Sequence, residues 1–405
     1  MSAPDGRLDE TSLLEEARER TGLSDFGEGS FREPLAKLLE AIEREARLTP
    51  AGRAGQRTRI VGLLSARLQR QAWFTRHPEI EAERVDVRIV VVGFPRTGTT
   101  LLHRIWRRIR DRHGSPGGNA VTRRRCRAGR WSGRGARADP RIARAEAEVA
   151  AMIAGNPALA AVHPLDALAP DEDVMLLEHA FQSSPPAGLM NVPSYLRWHL
   201  AQDGRTAYDD HERFLRFLQW QKRTRRAGGP LRAQGATPYG ASRSVAGALL
   251  RRRRSSNSSG SARATPLTRE HGPRIAAFLH EGDTVHPSEC ADYALTTARC
   301  RLERTESVRQ ATGGQRFVDV WFGDIVTDAL AVVERIYAQI GLDLPAGVRD
   351  RMARYVASHG RDKRPAHGYT LMIRSRCGGD PPGVFSLSRD LRAASSALVR
   401  ASRRQ

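Results

Sequence analysis

The sequence predicts an α/β fold with a central parallel sheet and many surrounding helices, and three observations carry that prediction. The β-branched run from Val87 to Gly93 ends in glycine, as a buried parallel strand does. It passes through a short loop into Leu101, Leu102, Ile105, Trp106 and Ile109, which share one helical face. Far downstream, Phe317 to Trp321 alternates as a strand. There Asp324-Ile325-Val326 opens a helix carrying Leu330, Val333, Ile336, Tyr337 and Ile340, stopped by Gly341. Strands each followed by a helix build a parallel sheet.

The remaining elements read as helices. Ser12 with Glu15 resembles a capping box, and Leu13, Leu14, Ala17, then Leu35, Leu38, Leu39 and Ile42, repeat at helical spacing, so residues 1–80 are expected to form a helical N-terminal region. Between Asp139 and Gln221 the helical text continues through Ile142 to Ile153, Tyr195 to Leu200 and Phe214 to Trp220. In the same stretch Pro170-Asp171-Glu172-Asp173 leads into Val174, Leu176, Leu177 and Ala180.

The 405 residues carry 66 Lys plus Arg against 45 Asp plus Glu, a net charge of +21 that invites a nucleic-acid partner. The charge is not spread evenly. Arg104 to Ala138 is net +11, Lys222 to Arg274 net +12 and Met372 to Gln405 net +5, so the rest of the chain is about −7. Within these blocks Val121 to Arg137 and Arg251 to Ala264 have no helical or strand period, and the blocks lack the aromatic interleaving of RNA readers, so nucleic acid is not an expected partner. No apolar run is long enough to cross a bilayer, and the acidic stretch from Asp9 to Arg20 is unlike a signal peptide. Four cysteines at wide, irregular spacing form neither a metal pattern nor a disulfide framework, which points to a reducing, cytoplasmic location and no metal.

The chemistry concentrates in Gly93-Phe94-Pro95-Arg96-Thr97-Gly98-Thr99-Thr100, a phosphate-loop frame between strand and helix. The lysine that nucleoside triphosphate hydrolysis needs is replaced by Thr99, which disfavours a kinase or NTPase. The cation is instead Arg96, whose guanidinium can hold a phosphate bidentately.

This loop resembles the 5′-phosphosulfate-binding loop of PAPS-dependent sulfotransferases, in the bacterial branch that carries Arg at this position. Further blocks resemble the same family: His163 to Asp166 with Glu172 to Phe181, Val192 to Tyr195, Phe317 to Val320 with Asp324 to Asp328, Ile336-Tyr337 with Gly341-Leu342, and Arg361-Asp362-Lys363 with His367-Gly368-Tyr369. Together they span about 250 residues. The resemblance implies a P-loop-like three-layer sandwich and sulfuryl transfer from PAPS to a hydroxyl or amine of a small-molecule acceptor, without a metal. It implies that Pro95, Arg96, Thr97, Gly98, Thr99 and Thr100 cradle the 5′ end, with Arg96 catalytic, and that Arg361 and Lys363 cover the 3′-phosphoadenosine end. Glu172 is the candidate base, against the commoner role of such acids in capping a helix. His103 and His179 read as surface or packing residues rather than bases.

Two family features are missing. The Arg and Ser that hold the 3′-phosphate are expected after Trp220-Gln221-Lys222, and a Trp-Glu-like stretch one strand after the loop; both positions fall in basic blocks. With 63 Arg and only three Lys, the gene is GC-rich, and out-of-frame reading of such a gene yields Arg, Gly, Ser, Ala and Pro. The domain reading is therefore a sulfotransferase domain over 81–371 with 114–137 and 223–274 out of frame, and an anomalous basic tail over 372–405. Read literally, the 223–274 block leaves the sheet without its central strands. A decayed, non-catalytic homologue lacking the 3′-phosphate site is the alternative reading, and an Arg-rich nucleic-acid-binding protein a remoter one.

Overall fold

The computed structural model describes residues 7–85, 90–93, 98–107, 140–155, 167, 173–224, 255–259, 297, 300–301, 303–305, 307–311 and 317–358. They fall into two compact units, one drawn from Met1–Arg88, Arg110–Pro238 and Arg274–Val285, the other from Ile89–Ile109, Tyr239–Pro273 and His286–Gln405.

The first unit is helical among its described residues. Helix Glu10–Thr21 starts earlier than the predicted capping box: Asp9, not Ser12, is the cap, its Oδ1 accepting the Ser12 N–H at 2.9 Å. Both residue types cap helices, and the one whose oxygen reaches the third helical N–H prevails. Gly22, left-handed at φ 66°, ends the helix. Leu13, Leu14 and Ala17 pack with Leu35, Leu38 and Ile42 of helix Arg32–Glu45 and with Ile60, Leu64 and Leu68 of helix Pro50–Arg76, as their spacing predicts.

Phe181 and Tyr195 extend this core. Phe181 takes a left-handed φ of 54°, after a short helical stretch, Val174–Leu177 and Glu178–Ala180. The turn is held from helix Pro193–Ala201 by the buried Tyr195 hydroxyl. That hydroxyl lies 2.9 Å from the Phe181 carbonyl and 2.8 Å from the Ser183 carbonyl, and accepts the Ser183 N–H at 3.1 Å. Tyr195→Phe removes the partner of these buried backbone groups and is expected to cost about 1–3 kcal/mol in urea unfolding. An unchanged midpoint would show that the turn holds itself.

A second feature of this unit is ionic. Asp210, on helix Arg205–Thr224, sits between Arg67 and Arg70 of helix Pro50–Arg76, at 3.2 and 2.5 Å, and all three are buried. Arg67 also donates to the Phe26 and Glu28 carbonyls, each at 2.9 Å, and lies over the Phe31 ring. One guanidinium thus joins the 26–28 loop to two helices.

Among its described residues the second unit contains a parallel sheet of three strands, β1 Val91–Gly93, β2 Ser255–Ser259 and β3 Phe317–Trp321, in the order β1-β2-β3. β1 and β3 are the two strands the sequence predicts. β2 corrects the expectation that the 223–274 block carries no strand. It pairs with both neighbours, Val91 opposite Ser256 and Phe317 opposite Ser255. The ladder is made by backbone N–H and C=O groups, which every non-proline residue supplies whatever its side chain.

Helix Thr99–Arg107 packs against β1, helix Phe322–Gln339 against β3, and helix Ala346–Ser358 against both helices. Leu102, Ile105, Val318, Val320, Ile325, Val333, Ile336 and Met352 form the core. The helix after β3 is broken at Asp328 (φ −152°, ψ 92°), where the sequence predicts one continuous helix. Asp328 Oδ1 accepts the Leu330 and Ala331 N–H groups at 3.0 and 2.9 Å, so it caps the longer second segment.

Candidate anion-binding site

All three strands run the same way, so the segments that leave β1 and β3 emerge at the same edge of the sheet. This is the carboxyl edge, where open parallel sheets bind ligands. The chain leaves β1 at Gly93 and re-enters the described residues at Gly98, which starts the turn into helix Thr99–Arg107. The chain leaving β3 runs directly into Phe322 and Ile325.

These two segments meet at Gly98. Its φ is 85°, and a Cβ built there falls 3.0 Å from Ile325 Cδ1, 3.3 Å from Ile325 Cγ2 and 3.6 Å from Phe322 Cδ2. Glycine is therefore required twice, for the left-handed backbone and for the close approach. The Gly98 carbonyl accepts the Leu102 N–H at 3.1 Å, which starts the helical ladder. The N–H groups of the first turn have no helical acceptor of their own and favour an anion placed before them. Thr99 is buried and Thr100 half-buried at this end of the helix.

Gly98→Ala is expected to lower the stability of this turn by about 1–2 kcal/mol from the left-handed backbone alone. Urea unfolding measures it, and a midpoint equal to that of the parent chain would overturn the requirement.

Of the residues singled out in the sequence, the structure brings Gly98, Thr99 and Thr100 together at one turn. Pro95, Arg96, Thr97, Glu172, Arg361 and Lys363 lie outside the described residues. So do the blocks 114–137 and 372–405, and most of 223–274. Asp173, next to Glu172, is described: it is buried and makes no side-chain cap bond to the helix after it. Its Oδ2 instead stands 3.3 Å from Nε2 of the buried His211. His179 is fully buried with its ring 4.8 Å from that of Phe214, which makes it a packing residue.

Sequence reasoning missed Ile325 and Phe322 as the wall behind Gly98. Their apolar character read only as helix core, because the contact joins positions more than two hundred residues apart. Among the described residues no group of three or more His, Cys, Asp or Glu is placed to hold a metal ion, and no helix is long and apolar enough to cross a membrane.

A family model described as "Sulfotransferase family" matches residues 88–346. The crystal structure of sulfotransferase STF1 from Mycobacterium tuberculosis H37Rv superimposes with a TM-score of 0.70 at 25% identity, covering 86% of this chain and 94% of that one. Sulfotransferase STF9 from Mycobacterium avium superimposes with a TM-score of 0.76 at 22% identity, covering 97% and 98%. A search of curated proteins finds no match.

Proposed function

The chain belongs to the sulfotransferase family, and from that premise we propose that its fold is a P-loop-like three-layer sandwich that transfers a sulfuryl group from PAPS to a hydroxyl or amine of a small-molecule acceptor. The observation that carries this reading is the Gly98 turn, at the carboxyl end of β1, left-handed and closely packed by Ile325, with a helix N-terminus directly behind it. Such a turn suits a phosphate group. PAPS, when bound, supplies an activated sulfuryl group on a phosphate that leaves readily.

In this reading the backbone N–H groups from Arg96 to Thr100 hold the 5′-phosphate, with Pro95 shaping the loop and the Thr99 and Thr100 hydroxyls beside it. Arg96 neutralises the charge that grows on the phosphate oxygen as its bond to sulfur breaks. Glu172 accepts the proton of the acceptor hydroxyl or amine as the new bond to sulfur forms. Arg361 and Lys363 hold the 3′-phosphoadenosine end. The loop supplies position and charge, so a metal is not needed. Residues 81–371 form the catalytic domain, following the helical region 1–80 in the chain, with 114–137 and 223–274 out of frame and 372–405 as a basic tail. The protein acts in the cytoplasm.

A second reading is favoured by one observation, that β2 reads Ser-Ser-Asn-Ser-Ser inside the block where the 3′-phosphate residues are expected. In that reading the chain is a decayed sulfotransferase that keeps the 5′ cradle and has lost the 3′ site. Incubation with sulfur-labelled PAPS and a mixture of phenols, alcohols and amines separates the two. Label transferred by the parent chain and not by an Arg96→Ala chain supports the active enzyme. No transfer by either supports the remnant.

A further inference from the structure

The middle strand has a composition unlike that of its position. β2 is hydrogen-bonded on both sides, along β1 and along the whole of β3. A parallel strand in such a place is covered on both faces and reads as a run of Val, Ile and Leu. Its neighbours bury valine, Val91 in β1 and Val318 and Val320 at alternate positions of β3. Ser and Asn suit a strand poorly, and a polar side chain covered without a partner costs free energy.

The genetic code removes the discrepancy. A serine codon of the T-C-N class followed by another, read from the third base onward, gives N-T-C, and all four such codons are apolar: Phe, Leu, Ile or Val. In a gene as GC-rich as 63 Arg to three Lys implies, that third base is G or C, which leaves Val or Leu. Carried from Arg254 to Gly260, this frame reads Val or Leu, Val or Leu, Gln or Glu, Leu, Val or Leu, then Arg or Gly. Reading from the second base instead gives C-N-T codons at the serine pairs, which a GC-rich gene makes Arg and Pro, and proline does not sit in a central strand.

We propose that the 223–274 block is translated one frame out, and that the frame beginning at the third base of its present codons encodes an aliphatic strand in place of Ser255–Ser259. The placement of the block rests on the sulfotransferase reading; the identity of the frame rests on the sheet. A gain or loss of one base before the block, with a compensating change before the text resumes, accounts for the buried strands on either side remaining in frame.

The codons of the gene test this. The expected result is T-C-N codons at Ser255, Ser256, Ser258 and Ser259, with no stop codon in the third-base frame across the block. An A-G-C or A-G-T codon at Ser255 or Ser256, which that frame reads as Gln, Glu, Lys or stop, or any stop within the block, overturns it. At the protein level, the full chain re-encoded in that frame across 223–274 is expected to unfold at higher urea than the parent chain, and a midpoint that stays or falls overturns the proposal. Titration of the re-encoded chain with 3′,5′-ADP reports separately on function. A stabilised chain that binds none leaves the strand assignment standing and removes the sulfotransferase chemistry.

Discussion

Arg96→Ala is expected to lower sulfuryl transfer by about 10²–10³-fold, the usual effect of removing one preorganised charge stabiliser from a transition state. Arg96 occupies the loop between β1 and the Gly98 turn, where the phosphate-loop lysine of a nucleotide hydrolase has been replaced by Thr99. It is therefore the one cation within the loop. In the proposed reaction it meets charge that develops on the leaving phosphate, so the loss is expected to fall on the rate of transfer more than on the binding of donor. Arg96→Lys keeps the charge and loses the planar fork, and is expected to recover only part of the rate. Single-turnover transfer from labelled PAPS measures both, with urea midpoints compared so that a folding defect is recognised. A full rate in Arg96→Ala would place the catalytic cation elsewhere.

Asp210→Ala is expected to be the most destabilising single change in the helical unit, costing about 3–5 kcal/mol, because it leaves the buried cations Arg67 and Arg70 facing each other. Burial by itself raises the Asp210 carboxyl, and Arg70 and Arg67 outweigh it, bringing the group to about 2. Burial lowers Arg67 to about 10, against the attraction of Asp210, so both partners stay charged at neutral pH. Because the folded value lies below the ordinary 3.8, the contribution is present above that pH and is lost as pH falls toward about 2. Urea unfolding from pH 7 to pH 2 measures it. The parent chain should lose stability through that window, and Asp210→Ala should start lower and lose less. Parallel curves would show that Asp210 does not carry the acid sensitivity.

The legible parts of this sequence are those where side-chain pattern and backbone role coincide. Phe317 to Trp321 alternates and is a strand over those same residues; Leu102 and Ile105 share a helical face and are both fully buried. The Gly98 turn is legible because the spacing of Gly93 and Gly98 between a strand and a helix is itself a backbone requirement. Other features are hidden. Nothing in the sequence marks Arg67, Arg70 and Asp210 as partners, because only the tertiary fold joins them. Asp328 reads as mid-helix, since its capping bonds leave the apolar period of Leu330, Val333 and Ile336 intact. β2 is hidden because its pairing is made by backbone groups while its side chains carry no strand period.

If the loop ending at the Gly98 turn binds the 5′-phosphate end of PAPS, the chain should take up the desulfated donor, 3′,5′-ADP, in preference to a nucleoside triphosphate. Calorimetric titration with 3′,5′-ADP, set beside titration with ATP and magnesium, measures that preference at the site itself. Micromolar binding of 3′,5′-ADP is expected, weakened at least tenfold by Arg96→Ala, with no comparable binding of ATP. Tighter binding of ATP than of 3′,5′-ADP, or binding of 3′,5′-ADP that Arg96→Ala leaves unchanged, would contradict the assignment of the loop.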